Sequence, residues 1–142
     1  MPTDTTTSGS DASRPDVIVD FCCEHGMLFV LLKNIGGRSA YEVTTTFDTP
    51  LLGLGGQKSI SDLPLFRSVE FVPPGKEFSQ LVDPAASWFK QERPERYIIS
   101  ISYGDRDGRQ FNESIIHELS IYRDLGHVRI SGSGGTDGNL AG

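Results

Sequence analysis

Two adjacent cysteines, Cys22 and Cys23, lie just before His25 and are the only thiols in a chain of 142 residues. Thiolate and imidazole are the donors of structural zinc and the parts of a thiol nucleophile. Structural zinc takes four ligands, usually from two separated knuckles, whereas the other histidines, His117 and His127, occur singly and far along the chain. Successive strand residues point to opposite faces, so Cys22 and Cys23 are poorly placed to bond each other. Cys23 reads as a small core residue and Cys22 as its neighbour on the opposite face. Either thiol with His117 is the one arrangement available for nucleophilic catalysis, and no orienting motif accompanies it.

Two further segments carry chemical residue types. Asp105, Asp107 and Glu113 offer oxygen ligands for calcium, but a helix–loop–helix calcium loop has a third Asp or Asn before its Gly. The Asp-Gly pair at 107 and 108 reads instead as a hairpin turn. Gly53-Leu-Gly-Gly-Gln-Lys-Ser59 has the outline of a phosphate-binding loop. That loop needs Gly directly before Lys-Ser and a helix behind it; here Gln57 precedes Lys58, and Pro64 stops any helix after a turn. No acid–base constellation can be assembled from these spacings, so the expectation is a non-enzyme with no cofactor and no metal.

The formal charge is −6, from 19 acidic and 13 basic residues, and the basic residues occur singly or in loose pairs. Such a surface works against phosphate backbones and anionic lipid, so no nucleic-acid or membrane partner is expected. The longest apolar stretch, residues 27–32, is far below the roughly 20 residues that span a bilayer. The first sixteen residues carry no apolar signal region, and the two cysteines fit a reducing compartment, so the chain reads as cytoplasmic. On that reading the glycosylation-type triplet Asn112-Glu-Ser114 is idle.

The elements that must position these residues are strands. Residues 1–14 are rich in Thr, Ser and Asp, and residues 124–142 in Gly and Ser, so both ends are expected to be disordered or linker-like around a domain of residues 15–123. Between them, alternating apolar segments closed by Gly, Pro or Asp turns predict seven strands. They cover about residues 16–23, 27–34, 40–48, 68–72, 77–82, 96–103 and 109–121. Val17, Val19 and Phe21 share one face. The second strand is apolar on both faces and so central in its sheet. Tyr41, Val43, Thr45 and Phe47 point inward, with Glu42, Thr44, Thr46 and Asp48 outward. Tyr97, Ile99, Ile101 and Tyr103 oppose Ser100 and Ser102. The last strand is expected to carry a bulge near Glu113 or Ser114, and the 49–66 connection a helical turn at 59–63 that Pro64 ends. Residues 83–90 are expected to form one helical turn that packs Trp88 or Phe89 over an open end. Seven short strands at this spacing favour an all-β, immunoglobulin-like antiparallel sandwich over a closed barrel.

Four segments in order carry a resemblance: Lys33-Asn-Ile-Gly-Gly-Arg-Ser-Ala-Tyr-Glu-Val43, Val72-Pro-Pro-Gly-Lys76, Tyr103-Gly-Asp-Arg-Asp-Gly-Arg109 and Leu119-Ser-Ile-Tyr122. Together they resemble uncharacterised bacterial and phage immunoglobulin-like domains, in the style of prokaryotic adhesion-type sandwich modules. The resemblance spans about residues 17–122 and rests on turn and core signatures. It implies a non-catalytic sandwich, often attached to other machinery.

The expected function is therefore a protein–protein interaction or structural module, monomeric or paired into a homodimer through an edge strand. Loops on a rigid scaffold carry binding disproportionately, which places the partner surface at Leu51, Leu52, Leu54 and Phe66 of the 49–66 loop, with Trp88 and Phe89 beside it. The same aromatics also suit end caps of the core. On the surface reading, removal of residues 51–60 leaves the fold intact. The other classes are a carbohydrate- or calcium-binding sandwich and a small enzyme using Cys22 or Cys23.

Overall fold

The computed structural model describes residues 13–125. Its strands are β1 (Val17–Glu24), β2 (Met27–Asn34), β3 (Ala40–Phe47), β4 (Leu52–Gly53), β5 (Lys58–Ser59), β6 (Val69–Val72), β7 (Glu77–Pro84), β8 (Arg96–Gly104) and β9 (Gln110–Glu118). Three short helices, α1 (Pro64–Arg67), α2 (Ala85–Lys90) and α3 (Ser120–Leu125), join or close them. A three-stranded sheet in the order β1-β2-β7 faces a four-stranded sheet in the order β6-β3-β8-β9, every pairing antiparallel. The chain thus forms the expected all-β sandwich, with β2 central in its sheet. The two-residue strands β4 and β5 form a separate ribbon.

Alternation drives the packing. Val17, Val19, Phe21 and Cys23 of β1 are buried, as are Tyr97, Ile99, Ile101 and Tyr103 of β8, and the two rows meet in one core. His25 and Gly26 both have positive φ, 52° and 76°, and form the two-residue link between β1 and β2. Left-handed backbone at both positions gives a turn whose twist matches the strands it joins.

The helical turn expected at 59–63 is present, and three other local expectations are corrected. Pro64 follows the end of that turn, with Leu63 extended, but it also opens a helix of its own: it sits in the first turn of α1, where its missing N–H costs nothing and its fixed φ suits the helix. The 59–63 segment holds a 3-10 turn, Ile60–Asp62, directly before it. In β3 the alternation is interrupted, because Glu42 (φ 52°) adds a bulge and the register to β8 shifts between Tyr41 and Thr44. Ala40 and Val43 are therefore the buried residues at that end, while Tyr41 is only half-buried. Conversely, β9 carries no bulge: its register to β8 is regular from Gln110 to Glu118, and the chain then turns at Leu119 into α3.

The two sheets are fastened at one end by Asn34, a fully buried amide. Its Oδ1 accepts from the N–H groups of Asp16 and Gly36 (3.1 and 2.9 Å), and its Nδ2 donates to the carbonyls of Arg38 and Val72 (2.8 and 2.9 Å). All its donor and acceptor groups are used, which is what permits a polar group at zero exposure. Residues 1–12 and 126–142, where the ends were expected to be disordered, lie outside the described residues.

Candidate functional site

The thiol arrangement comes apart on β1. Cys23 faces the core and Cys22 the outer side, and both are free thiols. Burial, then the carboxylates of Glu24, Asp20 and Glu77, pushes Cys22 up to about 11, and burial likewise raises Cys23. An activated nucleophile requires a shift in the opposite direction. His25 stands exposed on the hairpin tip. His117, the imidazole available to either thiol, is half-buried on β9 and lies edge-on to Phe21 with ring centroids 5.1 Å apart. Among the described residues no three His, Cys, Asp or Glu side chains converge as a metal site.

The acidic residues near the β8–β9 hairpin serve the hairpin itself. Asp105 Oδ1 accepts from the N–H groups of Asp107 and Arg109, both at 2.9 Å, and its Oδ2 takes the Arg109 guanidinium at 2.8 Å. Burial works to raise this carboxyl, but the Arg109 N–H, the Arg109 side chain and the Asp107 N–H outweigh it, and the group is held below its usual value. Glu113 is engaged elsewhere: Arg14 donates to its Oε2 at 3.1 Å, as does the Tyr103 hydroxyl. The Arg14 guanidinium lies 4.5 Å over the Phe111 ring, which in turn stacks on Tyr103.

The residues expected to face a partner divide into two groups. Leu51, Phe66 and Trp88 have zero exposure, and Phe89 is 8 % exposed. They plug the open end of the sandwich: Phe66 packs edge-on to Phe47, and Trp88 packs edge-on to Phe89 and against Tyr97. Leu52 is half-buried, and its carbonyl accepts from Trp88 Nε1 at 3.1 Å. Because Leu51 and Ile60 are both core residues, removal of 51–60 would open the core, and the expectation that the fold survives it is overturned. Leu54 alone is exposed, at 43 %.

Leu54 is held out on a stiff tip. Gly53 packs so closely on β7 that a Cβ there would lie 2.4 Å from the Val82 carbonyl oxygen. The Gly55 N–H donates to both carboxylate oxygens of buried Asp83, and the Arg93 guanidinium lies against Gly56. Leu54 itself has φ 52°, left-handed backbone that costs a Leu about 1–2 kcal/mol.

A second surface lies on the outer face of the four-stranded sheet, and its composition follows from register. Thr44 pairs with Ser102, which pairs with Asn112; Thr46 pairs with Ser100, which pairs with Ser114. Two rows of short polar side chains thus cross β3, β8 and β9. Beyond one row stand Tyr41 and Phe71, paired between β3 and β6 with ring centroids 5.5 Å apart, and Phe71 is 50 % exposed. Beyond the other stand Ile98 and Ile116, also a cross-strand pair, with Ile116 57 % exposed. Short side chains between bulky ones leave an open depression of about 390 Å³, which Ile101 and Glu113 also line. The outward places of Thr44, Thr46, Ser100 and Ser102 were readable from alternation, but nothing in the sequence showed that they align side by side with Asn112 and Ser114.

A family model described as a domain of unknown function, DUF8453, matches residues 3–123. The chain belongs to this family. The match takes in the whole sandwich and both surfaces, so the family's domain is an antiparallel all-β fold. No curated protein and no solved structure matches the chain. No helix among the described residues of this family member is long and apolar enough to cross a membrane.

Proposed function

We propose that this domain is a non-catalytic recognition module of the immunoglobulin-like kind that binds another protein through the β4–β5 tip. The observation that carries the reading is Leu54, an exposed apolar side chain kept in left-handed backbone by clamps on either side. Strain of this kind persists only where the surroundings over-determine it, and it collects at binding and switch sites. Rigidity also serves affinity, since a preorganised anchor loses little freedom on docking. The residues after it, Gly55 to Lys58, are exposed as well and make a polar rim.

The raised thiol values and the self-satisfied Asp105 carboxylate support a non-catalytic role. The four segments that resemble prokaryotic adhesion-type modules fall on turns and core positions, which supports the immunoglobulin-like assignment.

The test is Leu54→Gly. Glycine relieves the left-handed penalty, so the variant should unfold at a higher temperature, by the equivalent of about 1 kcal/mol. It should also lose the protein that the unaltered domain captures from host lysate. Capture undiminished in a stabilised Leu54→Gly variant would refute the placement of the site.

A further inference from the structure

The depression on the four-stranded sheet is distinct from the β4–β5 tip, and the chemistry of its lining points to a ligand class. We infer that it binds a neutral carbohydrate chain lying across β3, β8 and β9.

The floor is the first observation. Its six outward side chains, Thr44, Thr46, Ser100, Ser102, Asn112 and Ser114, are all uncharged, on a protein whose formal charge is −6. Each Ser or Thr hydroxyl both donates and accepts, and the Asn amide does the same through separate atoms. A ligand that matches such a floor must itself be donor and acceptor at short intervals and carry no charge, which describes sugar hydroxyls. An amphipathic helix would leave these groups unpaired against apolar side chains. An extended peptide lying across the floor would find the backbone of β3 and β8 committed to ladders on both sides, with strand addition left only to the outer edge of β9, off the floor.

The walls are the second observation. The floor is two residues wide along the strands, about 7 Å between rows, and three strands long at about 4.8 Å each. Phe71 rises at one side, half exposed and propped by Tyr41, and offers an apolar face to the C–H side of a pyranose ring. Ile98 and Ile116 form the next cross-strand row beyond the opposite side of the floor. The volume of about 390 Å³ lies within the span of roughly 300–1,000 Å³ typical of small-ligand sites. An open depression suits a chain that continues beyond the site better than an enclosed monosaccharide.

Preorganisation is the third. Ser100 and Ser114 Oγ atoms are already hydrogen-bonded at 2.9 Å, so the central hydroxyls are fixed before any ligand arrives. All six residues stand on strands, which hold them more firmly than loops would.

The experiment is a titration of the 15N-labelled full chain with neutral gluco-, xylo- and chito-hexasaccharides at millimolar concentration, read by amide shifts. The expected result is saturable shifts along β3, β8 and β9 with at least one of these sugars, unchanged by Leu54→Gly. Phe71→Ala should weaken that binding by about fivefold. Thr46→Arg, which fills the floor from an exposed position, should abolish it at unchanged melting temperature. No saturable shift with any of the sugars overturns the inference. So do shifts that survive Thr46→Arg, and shifts on this face that depend on protein concentration without sugar, which would make it a contact between two copies.

Discussion

Asn34 of one sheet donates its side-chain N–H to the carbonyl of Val72 in the other at 2.9 Å, inside the core. The same amide holds the 34–38 turn and the entry to β1, so three pieces of chain distant in sequence depend on one side chain.

Asn34→Ala should therefore cost about 2–4 kcal/mol in urea denaturation, because buried groups at Asp16, Gly36, Arg38 and Val72 lose their partner together. Asn34→Asp should be no milder, since a carboxylate has no donor for the Arg38 and Val72 carbonyls. A loss below 1 kcal/mol for both would show that the turn holds without the amide.

The turn beside it tolerates nothing larger than glycine at one position. A Cβ at Gly36 would lie 2.4 Å from the Arg14 carbonyl oxygen and 2.6 Å from the Asp16 nitrogen, both backbone atoms with no rotamer to yield. Gly36→Ala should destabilise by about 2–3 kcal/mol. Gly26→Ala is the control, with open space around it and only its left-handed φ of 76° to oppose the methyl, for about 1 kcal/mol. Equal melting temperatures for the two variants would contradict the close approach.

Acid should loosen the β8–β9 hairpin through Asp105. Its folded carboxyl value lies below the ordinary 3.8, so as pH falls the unfolded chain takes up the proton first. The stabilisation is complete above 3.8 and disappears as pH falls through the folded value. Wild type should exceed Asp105→Asn in urea midpoint by a constant margin at neutral pH, and that margin should narrow below 3.8. A margin undiminished in strong acid would mean that the carboxylate charge contributes nothing.

Cys22 should alkylate slowly. Its shift from 9.0 to about 11 lowers the thiolate fraction at neutral pH about a hundredfold. A more basic thiolate is a better nucleophile, which returns about tenfold and leaves roughly a tenfold slower reaction with iodoacetamide than an unperturbed thiol shows. Rapid, selective labelling of Cys22 at neutral pH would revive the thiol-enzyme reading.

Strands with strict alternation could be read from the sequence because burial acts there residue by residue: Tyr97, Ile99, Ile101 and Tyr103 point inward as their spacing requires. The 49–66 connection was opaque for the opposite reason. Leu51, Ile60 and Phe66 are buried against strands far away in sequence, and nothing periodic within the loop announces it. Pro64 has two local meanings, helix start and helix stop, and only the packing of Phe66 selects between them. The bulge at Glu42 left no turn residue as a sign. For the sheet-face site, the hydroxyls on β3 and β8 were legible one strand at a time, while the bulge expected near Ser114 left β9 unassigned. Their alignment into rows depends on register between strands, a non-local quantity.

The Tyr122 hydroxyl donates to the Phe21 carbonyl at 3.0 Å, and Arg14 reaches Glu113, so the first strand is completed by residues about a hundred positions later. On the ribosome this imposes an order of events. The apolar side of the β1–β2 hairpin is made before any of the opposite sheet, and only β3 and β6 of that sheet precede β8. Synthesis at roughly 5–20 residues per second leaves that face uncovered for several seconds, a window in which a chaperone or a neighbouring nascent chain competes with the domain's own last strands.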